Sequence, residues 1–409
     1  MSTYYKCGVD IVDISRIQEL VDHSTSDDLK QIFRQHELDD VGHSKNRYGR
    51  LAARFAAKEA CLKLFPKETA NASIDFTDFS VRNNGYGAPF LCLSANASAL
   101  LNLYGFGQIS ISLSHTQVSA MAVAIASSKE FKAPMIGKLI YWLLPIKRDV
   151  VSANLERIYS KTLGRAEIKS IIQAHYASLL RAYLEFICFQ VRSEAKQLAR
   201  VRVQNAEPII TALGKGRGTI VLTGHFGNIT TNFAAGVANL PEARGRFYFV
   251  SRQLQPAWLE GLINRKIGKL GFKMLPKTIS IESLMFYLGA GSTVVIPFDH
   301  HDGRKGSSRV NFLEHPAVTL HGLVLIAIST GYPVIPASCW MGEDGKHLLR
   351  FEEPLQLVKS TSVKEEIRLN TQLLNTILER MVLRHSDECW WMHRTNLPTF
   401  EQGETFRRT

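Results

Sequence analysis

No window of this 409-residue chain approaches the roughly 18 consecutive apolar residues that a membrane-spanning helix needs. The nearest candidate, Leu139–Pro145 ("LIYWLLP"), is far too short and runs at once into Lys147 and Arg148. The N-terminus, "MSTYYKCGVDIVD", lacks the basic-then-apolar order of a signal peptide. Six cysteines stand far apart with no Cys-x-x-Cys pair, so neither a zinc site nor a disulfide framework is indicated. There is no internal repeat, no low-complexity tract and no nucleic-acid-binding motif. A cytoplasmic protein is the expectation. One more absence concerns chemistry: no Asp or Glu lies between His225 and Pro241.

What is present bounds the fold. A hydrophobic share of 45% supports ordinary packed cores, and the length predicts two or three domains. Residues 1–128 hold 12 Lys and Arg against 13 Asp and Glu; the remainder holds 37 against 24. The basic part suits an anionic lipid surface or an acidic protein partner. Together, "LIYWLLPIKR" and this charge point to peripheral attachment, on the inner face of the cell membrane.

Pattern then divides the chain. "CGVDIVDI" and "QISISLSHTQVSAMAVAIA" read as strands, and Arg47–Phe65 reads as a helix that stops at Pro66. A polar stretch with Pro and Gly, 129–137, reads as a linker between a domain at 1–128 and one at 138–400, with 401–409 as a tail. Beyond a helical segment, strand and helix alternate: 218–223, "RFYFV", "TVVIPF" and "PVIPAS" are the strands. The fold class is α/β with two domains, a small α+β domain followed by an α/β layered one.

On the first helix, Ala52, Ala56, Glu59 and Lys63 share a face. Asp10 lies near the end of an apolar strand, and Ser114-His115-Thr116 lies within another. An Asp and a Glu converging from two elements suit Mg²⁺, which uses few carboxylates alongside water and phosphate. Four blocks, "GVDIVDISRI", "RFAAKEACLKLF", "NNGYGAPFLCLS" and "ISLSHTQVSAMAVAIA", carry a family resemblance. In order and spacing they resemble the AcpS-type 4′-phosphopantetheinyl transferases, the holo-acyl-carrier-protein synthases. The resemblance implies that Asp10 and Glu59 bind Mg²⁺ on the coenzyme A pyrophosphate. It places Arg54, Lys63 and His115 near the nucleotide phosphates, with an acyl carrier protein serine as acceptor. Trimers with the site between subunits are common in that family.

The second constellation is "GHFGNITT", Gly224–Thr231. A histidine between a strand and a helix reads as a general base, which normally needs a carboxylate to orient it. With "VSRQLQPAWLEGLINR", the stretch from "VVIPFDHHDGRKG" onward and the closing "WWMHRT", it resembles the lipid A lauroyl/myristoyl acyltransferases. Members move a fatty acyl chain from a thioester to a lipid hydroxyl, and their motif is His-x4-Asp/Glu. Here Thr230 stands at the acid's position. Three readings follow: a replacement acid, Asp299 first and Glu185 second; an amine acceptor; or binding without transfer. The resemblance also puts Asn228, Arg252 and Arg304 at substrate-facing positions. The expected function is a bifunctional enzyme that installs the carrier arm and moves an acyl chain from it to a lipid-like acceptor. The rival is a phosphopantetheinyl transferase fused to a non-catalytic docking module.

Overall fold

A computed structural model describes residues 5–392 apart from 43, 45, 68, 71–73, 130–132, 145, 252–256, 300–305, 314 and 343. The chain forms two compact units: Met1–Phe131 with Lys161–Gly164, and Lys132–Ser160 with Arg165–Thr409. The two-domain α/β architecture expected from the sequence is the one observed.

In the first unit, strand Ser119–Ser128 pairs antiparallel with both Tyr5–Asp13 and Phe106–His115. Alternation sends Ala120, Ala122, Ala124 and Ala126 into the core against helix Arg47–Leu62. These small side chains let strand and helix approach closely. At Gly8 a Cβ would lie 2.0 Å from the Ala60 carbonyl oxygen, so only glycine fits. The opposite face of the sheet leaves Val9, Ile11, Met121 and Ile125 exposed.

The sequence carries the helix to Phe65, but the structure ends it at Leu62. Leu64 and Phe65 then bond to Cys61 and Leu62 in tight turns ahead of Pro66. A residue preceding proline avoids helical backbone angles, which favours the early exit.

The second unit is built on a seven-stranded sheet. Its spatial order is Val201–Gln204, His347–Phe351, Val334–Met341, Thr219–Thr223, Thr293–Pro297, Phe247–Ser251 and Phe272–Pro276. All neighbours are parallel except Val334–Met341 with His347–Phe351. The central strand Thr219–Thr223 is buried along its whole length, as a sheet covered on both faces requires. Thr223 stands opposite Pro297 in the parallel register. Residues two positions beyond each strand end therefore leave the sheet side by side. Those residues are His225 and Asp299. In sheets of this kind ligands gather at the carboxyl ends of the strands.

Among the described residues, no helix is long and apolar enough to cross a membrane.

Candidate active sites

In the first unit the sheet and helix bring three predicted residues together. Asp10 Oδ1 accepts from Lys63 Nζ at 2.9 Å, and the same ammonium donates to the Val9 carbonyl at 2.7 Å. Glu59 sits beside them. Burial raises its pKa above the usual carboxylate value, the Asp10 charge raises it further, and Lys63 and Arg16 oppose both. Two carboxylates crowded enough to feel each other form a donor set that suits a divalent cation. Among the described residues, no group of three or more His, Cys, Asp or Glu makes a complete metal cage. Two carboxylates with open positions is the pattern Mg²⁺ uses when substrate phosphate and water complete its shell.

The other two predicted residues lie elsewhere: His115 ends strand Phe106–His115 beside the start of the helix, and Arg54 lies within the helix. His115 Nε2 is 2.6 Å from Asn46 Nδ2, the side chain of the residue that precedes the helix. That end lies about 20 Å along the axis from Glu59 at 1.5 Å per residue. Arg54 is 4% exposed and faces away, its Nη2 at 4.0 Å from Asp40 Oδ2. Its Nε and Nη2 are buried without hydrogen-bond partners, and burial lowers its pKa.

The second unit answers the question raised by the missing acid. His225 Nδ1 lies 2.7 Å from Asp299 Oδ1, and the His225 backbone N–H donates to Asp299 Oδ2 at 2.7 Å. One carboxylate thus fixes both the ring and the chain that bears it. Burial would lower the His225 pKa; the Asp299 charge and hydrogen bond outweigh burial and an opposing Lys277, so the net pKa is raised above 6.5. Glu185, the second candidate acid, is engaged by His347 at 2.9 Å and Arg200 at 2.7 Å.

The loop itself is held by the segment that follows the last helix. Gly227 N–H donates to the Glu388 carbonyl at 2.8 Å, Trp390 N–H donates to the His225 carbonyl at 3.0 Å, and Phe226 bridges to Cys389. Gly227 has φ +49°, a region that other residues enter only at a cost. Asn228 precedes helix Ile229–Ala238 and does not cap it; its Nδ2 is buried without a partner. Arg252 and Arg304 lie outside the described residues.

Sequence reasoning missed three residues around this loop. Glu388 is buried; its Oε1 accepts from Met341 N–H at 3.0 Å and pairs with Arg181 at 3.0 Å. Burial raises its pKa, while Arg181 opposes. Lys277, whose charge lowers the His225 pKa, directly follows strand Phe272–Pro276. Its place after a parallel strand was the available signal. Glu388 and Arg181 gave none, because their pairing spans distant parts of the chain.

Comparison with known proteins joins this geometry to families. Residues 120–397 match the bacterial lipid A biosynthesis acyltransferase family. The chain belongs to that family. Residues 6–124 match the 4′-phosphopantetheinyl transferase superfamily, so the chain carries a domain of that superfamily ahead of its acyltransferase-family domain. Among similar proteins is the holo-[acyl-carrier-protein] synthase of Halothermothrix orenii, 35% identical over 118 residues, covering 29% of this chain and 93% of that protein. The enzyme of the same name from Carboxydothermus hydrogenoformans is 36% identical over 121 residues, covering 30% and 96%. A crystal structure of the Helicobacter pylori holo-[acyl-carrier-protein] synthase in complex with coenzyme A is 27% identical, with a TM-score of 0.25, covering 30% and 99%.

Proposed function

We propose that this chain is a bifunctional transferase acting on one acyl carrier protein. The first site moves 4′-phosphopantetheine from coenzyme A to a carrier serine; the second moves the acyl chain later loaded on that arm to a lipid-like hydroxyl. The observation that carries the second half is the pair of hydrogen bonds between His225 and Asp299 at adjoining strand ends.

In the first reaction the serine oxygen attacks the β-phosphorus of coenzyme A, and the bond to 3′,5′-adenosine bisphosphate breaks. Asp10 and Glu59 would hold Mg²⁺, which neutralises charge developing on the leaving phosphate. Lys63, bonded to Asp10, keeps a second positive charge at that position. The exposed apolar sheet face, Val9, Ile11, Met121 and Ile125, supports a homotrimer. The separation of His115 from Glu59 along one helix fits a site completed by a neighbouring copy.

In the second reaction Asp299 accepts a hydrogen bond from Nδ1–H of neutral His225, which leaves the unprotonated Nε2 as the base. It takes the acceptor hydroxyl proton as oxygen attacks the thioester carbonyl; the C–S bond breaks, and the thiol leaves with the proton from the imidazolium. The unpartnered Asn228 Nδ2 is a donor available to the acyl or acceptor oxygen. This unit works at a membrane surface: helix Met135–Leu143 exposes Met135, Leu139, Trp142 and Leu143.

The test couples both steps. The full chain is given apo carrier protein, coenzyme A and Mg²⁺, and carrier mass is followed. Acyl-loaded carrier and lipid acceptors are then added, and acylated lipid is sought by mass spectrometry. Holo carrier without any acylated product would leave the first activity and remove the second.

A further inference from the structure

The second unit carries an apolar surface that its proposed chemistry does not use. In helix Met135–Leu143, Met135 and Trp142 are 78% and 76% exposed. The chain from 133 to 148 contains no acid, and Lys138, Lys147 and Arg148 are its cations. Helix Arg165–Val191 continues the surface with Tyr183, Ile187 and Val191, spaced four apart on one face and all exposed.

A cleft of about 470 Å³ lies within this surface. Its apolar lining comes from Ile136 on the short helix, from Leu180, Leu184 and Cys188 on the long one, and from Met341. Ile136 and Leu184 are also half exposed, so cleft and outer face are continuous. Three arginines are among the lining residues: Arg181, Arg192 and Arg200. The one carboxylate there, Glu185, is engaged by Arg200 and His347. Among the described residues the Arg192 side chain has no ion pair or hydrogen bond. An apolar trough with an uncompensated arginine at hand matches a molecule with a hydrocarbon chain and an anionic phosphate. The volume falls in the range of small-molecule sites, about 300–1,000 Å³.

Resting on the membrane-surface reading above, we propose that this cleft seats one anionic phospholipid of the bilayer. Its acyl chain lies along Leu180, Leu184 and Cys188, and its phosphate meets Arg192, with Arg181 and Arg200 beside it. Guanidinium groups suit this role because their donors match two phosphate oxygens at once. The seat is joined to the acyl-transfer loop. Met341 N–H and Arg181 both bind the carboxylate of Glu388, whose carbonyl holds Gly227. Tyr183 lies against Trp390, whose N–H holds the His225 carbonyl. The lipid would anchor the protein beside its own reaction centre.

The experiment titrates the full chain with dihexanoylphosphatidylglycerol below its micellar concentration, followed by calorimetry, and separately measures binding to anionic vesicles. The expected result is saturable binding of the short-chain lipid, about tenfold tighter than dihexanoylphosphatidylcholine. Arg192→Gln, which removes the free charge, and Cys188→Trp, which fills the trough, should each weaken it about tenfold. Circular dichroism and vesicle binding through the outer helices should persist in both variants. Vesicle binding with no short-chain lipid binding, or variants that bind like wild type, overturns the seat and leaves the membrane reading standing. Loss of both kinds of binding in the wild type removes the membrane reading as well. Displacement by inorganic phosphate at equal concentration overturns the proposal in favour of a simple anion site. Displacement by holo carrier protein overturns it in favour of the carrier's arm.

Discussion

His225 and Asp299 are tied twice, side chain to side chain and backbone N–H to side chain, each at 2.7 Å. Because strands Thr219–Thr223 and Thr293–Pro297 run parallel in register, the distance between them in sequence costs nothing in placement. The proposed base thus obtains its acid across the sheet instead of from the next helical turn.

The first prediction follows from that bond. His225→Ala should abolish acyl transfer, and Asp299→Asn should lower kcat by about 10⁴-fold, in line with the loss of an orienting carboxylate in other enzymes. A base works in its neutral form. The raised His225 pKa therefore predicts a kcat/KM that climbs with pH through a value above 6.5, and that value should fall in Asp299→Asn. The stability sign is the opposite. The pair's contribution is complete below the unfolded histidine pKa and is lost as pH rises through the higher folded one. A pH–rate profile and thermal unfolding across the same range check both.

How much of this was legible in sequence differs by element. The four long apolar strands were readable because central parallel strands are continuous runs of Val, Ile and Phe, as in "TVVIPF". Strands Val201–Gln204, His347–Phe351 and Phe272–Pro276 were missed, since "VRVQ", "HLLRF" and "FKMLP" mix charge with apolar residues over four or five positions. Asp299 could be named as a candidate because it follows a strand end, yet only register decides between it and Glu185. Glu388 was invisible: nothing in "SDECWW" says that its carboxylate turns inward toward Arg181 and Met341.

The second prediction concerns the first unit. Asp10→Asn and Glu59→Gln should each remove apo-to-holo conversion of carrier protein while circular dichroism stays unchanged. Mn²⁺ bound in place of Mg²⁺, read by electron paramagnetic resonance, should be lost in parallel. In the wild type, metal affinity should fall as pH drops through the raised Glu59 pKa, because the protonated carboxyl cannot ligate. Full conversion by both variants at limiting Mg²⁺ would count against the assignment.

A third prediction addresses the loop. Gly227→Ala meets a positive φ, and its Cβ would stand 3.3 Å from the buried Glu388 Oε2. The backbone term alone predicts a loss of about 1–2 kcal/mol in denaturant unfolding. Glu388→Gln keeps the shape and the acceptor for Met341 N–H, so it should unfold closer to wild type than Glu388→Ala.

The membrane reading predicts salt dependence. Binding to anionic vesicles should weaken as ionic strength rises and the Debye length shortens. Replacing Leu139 and Trp142 together by Ala should lower partitioning at least about tenfold, since both exposed side chains would lose their apolar seat in the bilayer. Equal partitioning onto neutral and anionic vesicles at low salt would remove the role of the cations.

The last prediction returns to Thr230. In the motif that "GHFGN" resembles, position 230 is acidic, and Glu there would restore it. In this chain Nδ1 of His225 already has a carboxylate, so the position is relieved of that duty. A second acid in the first turn of helix Ile229–Ala238 would compete for the same nitrogen or add negative charge nearby. Either way it stabilises the imidazolium and moves the base further from neutrality at pH 7. Thr230→Glu should therefore shift the pH–rate profile upward and change kcat at its plateau by less than about tenfold. In an Asp299→Asn background the same substitution should recover part of the lost rate, because the acid then has a vacancy to fill. Recovery in the double variant, with little gain in the single one, would mark the two carboxylate positions as alternatives. A large gain from Thr230→Glu alone would mean that Asp299 orients the loop without serving the base.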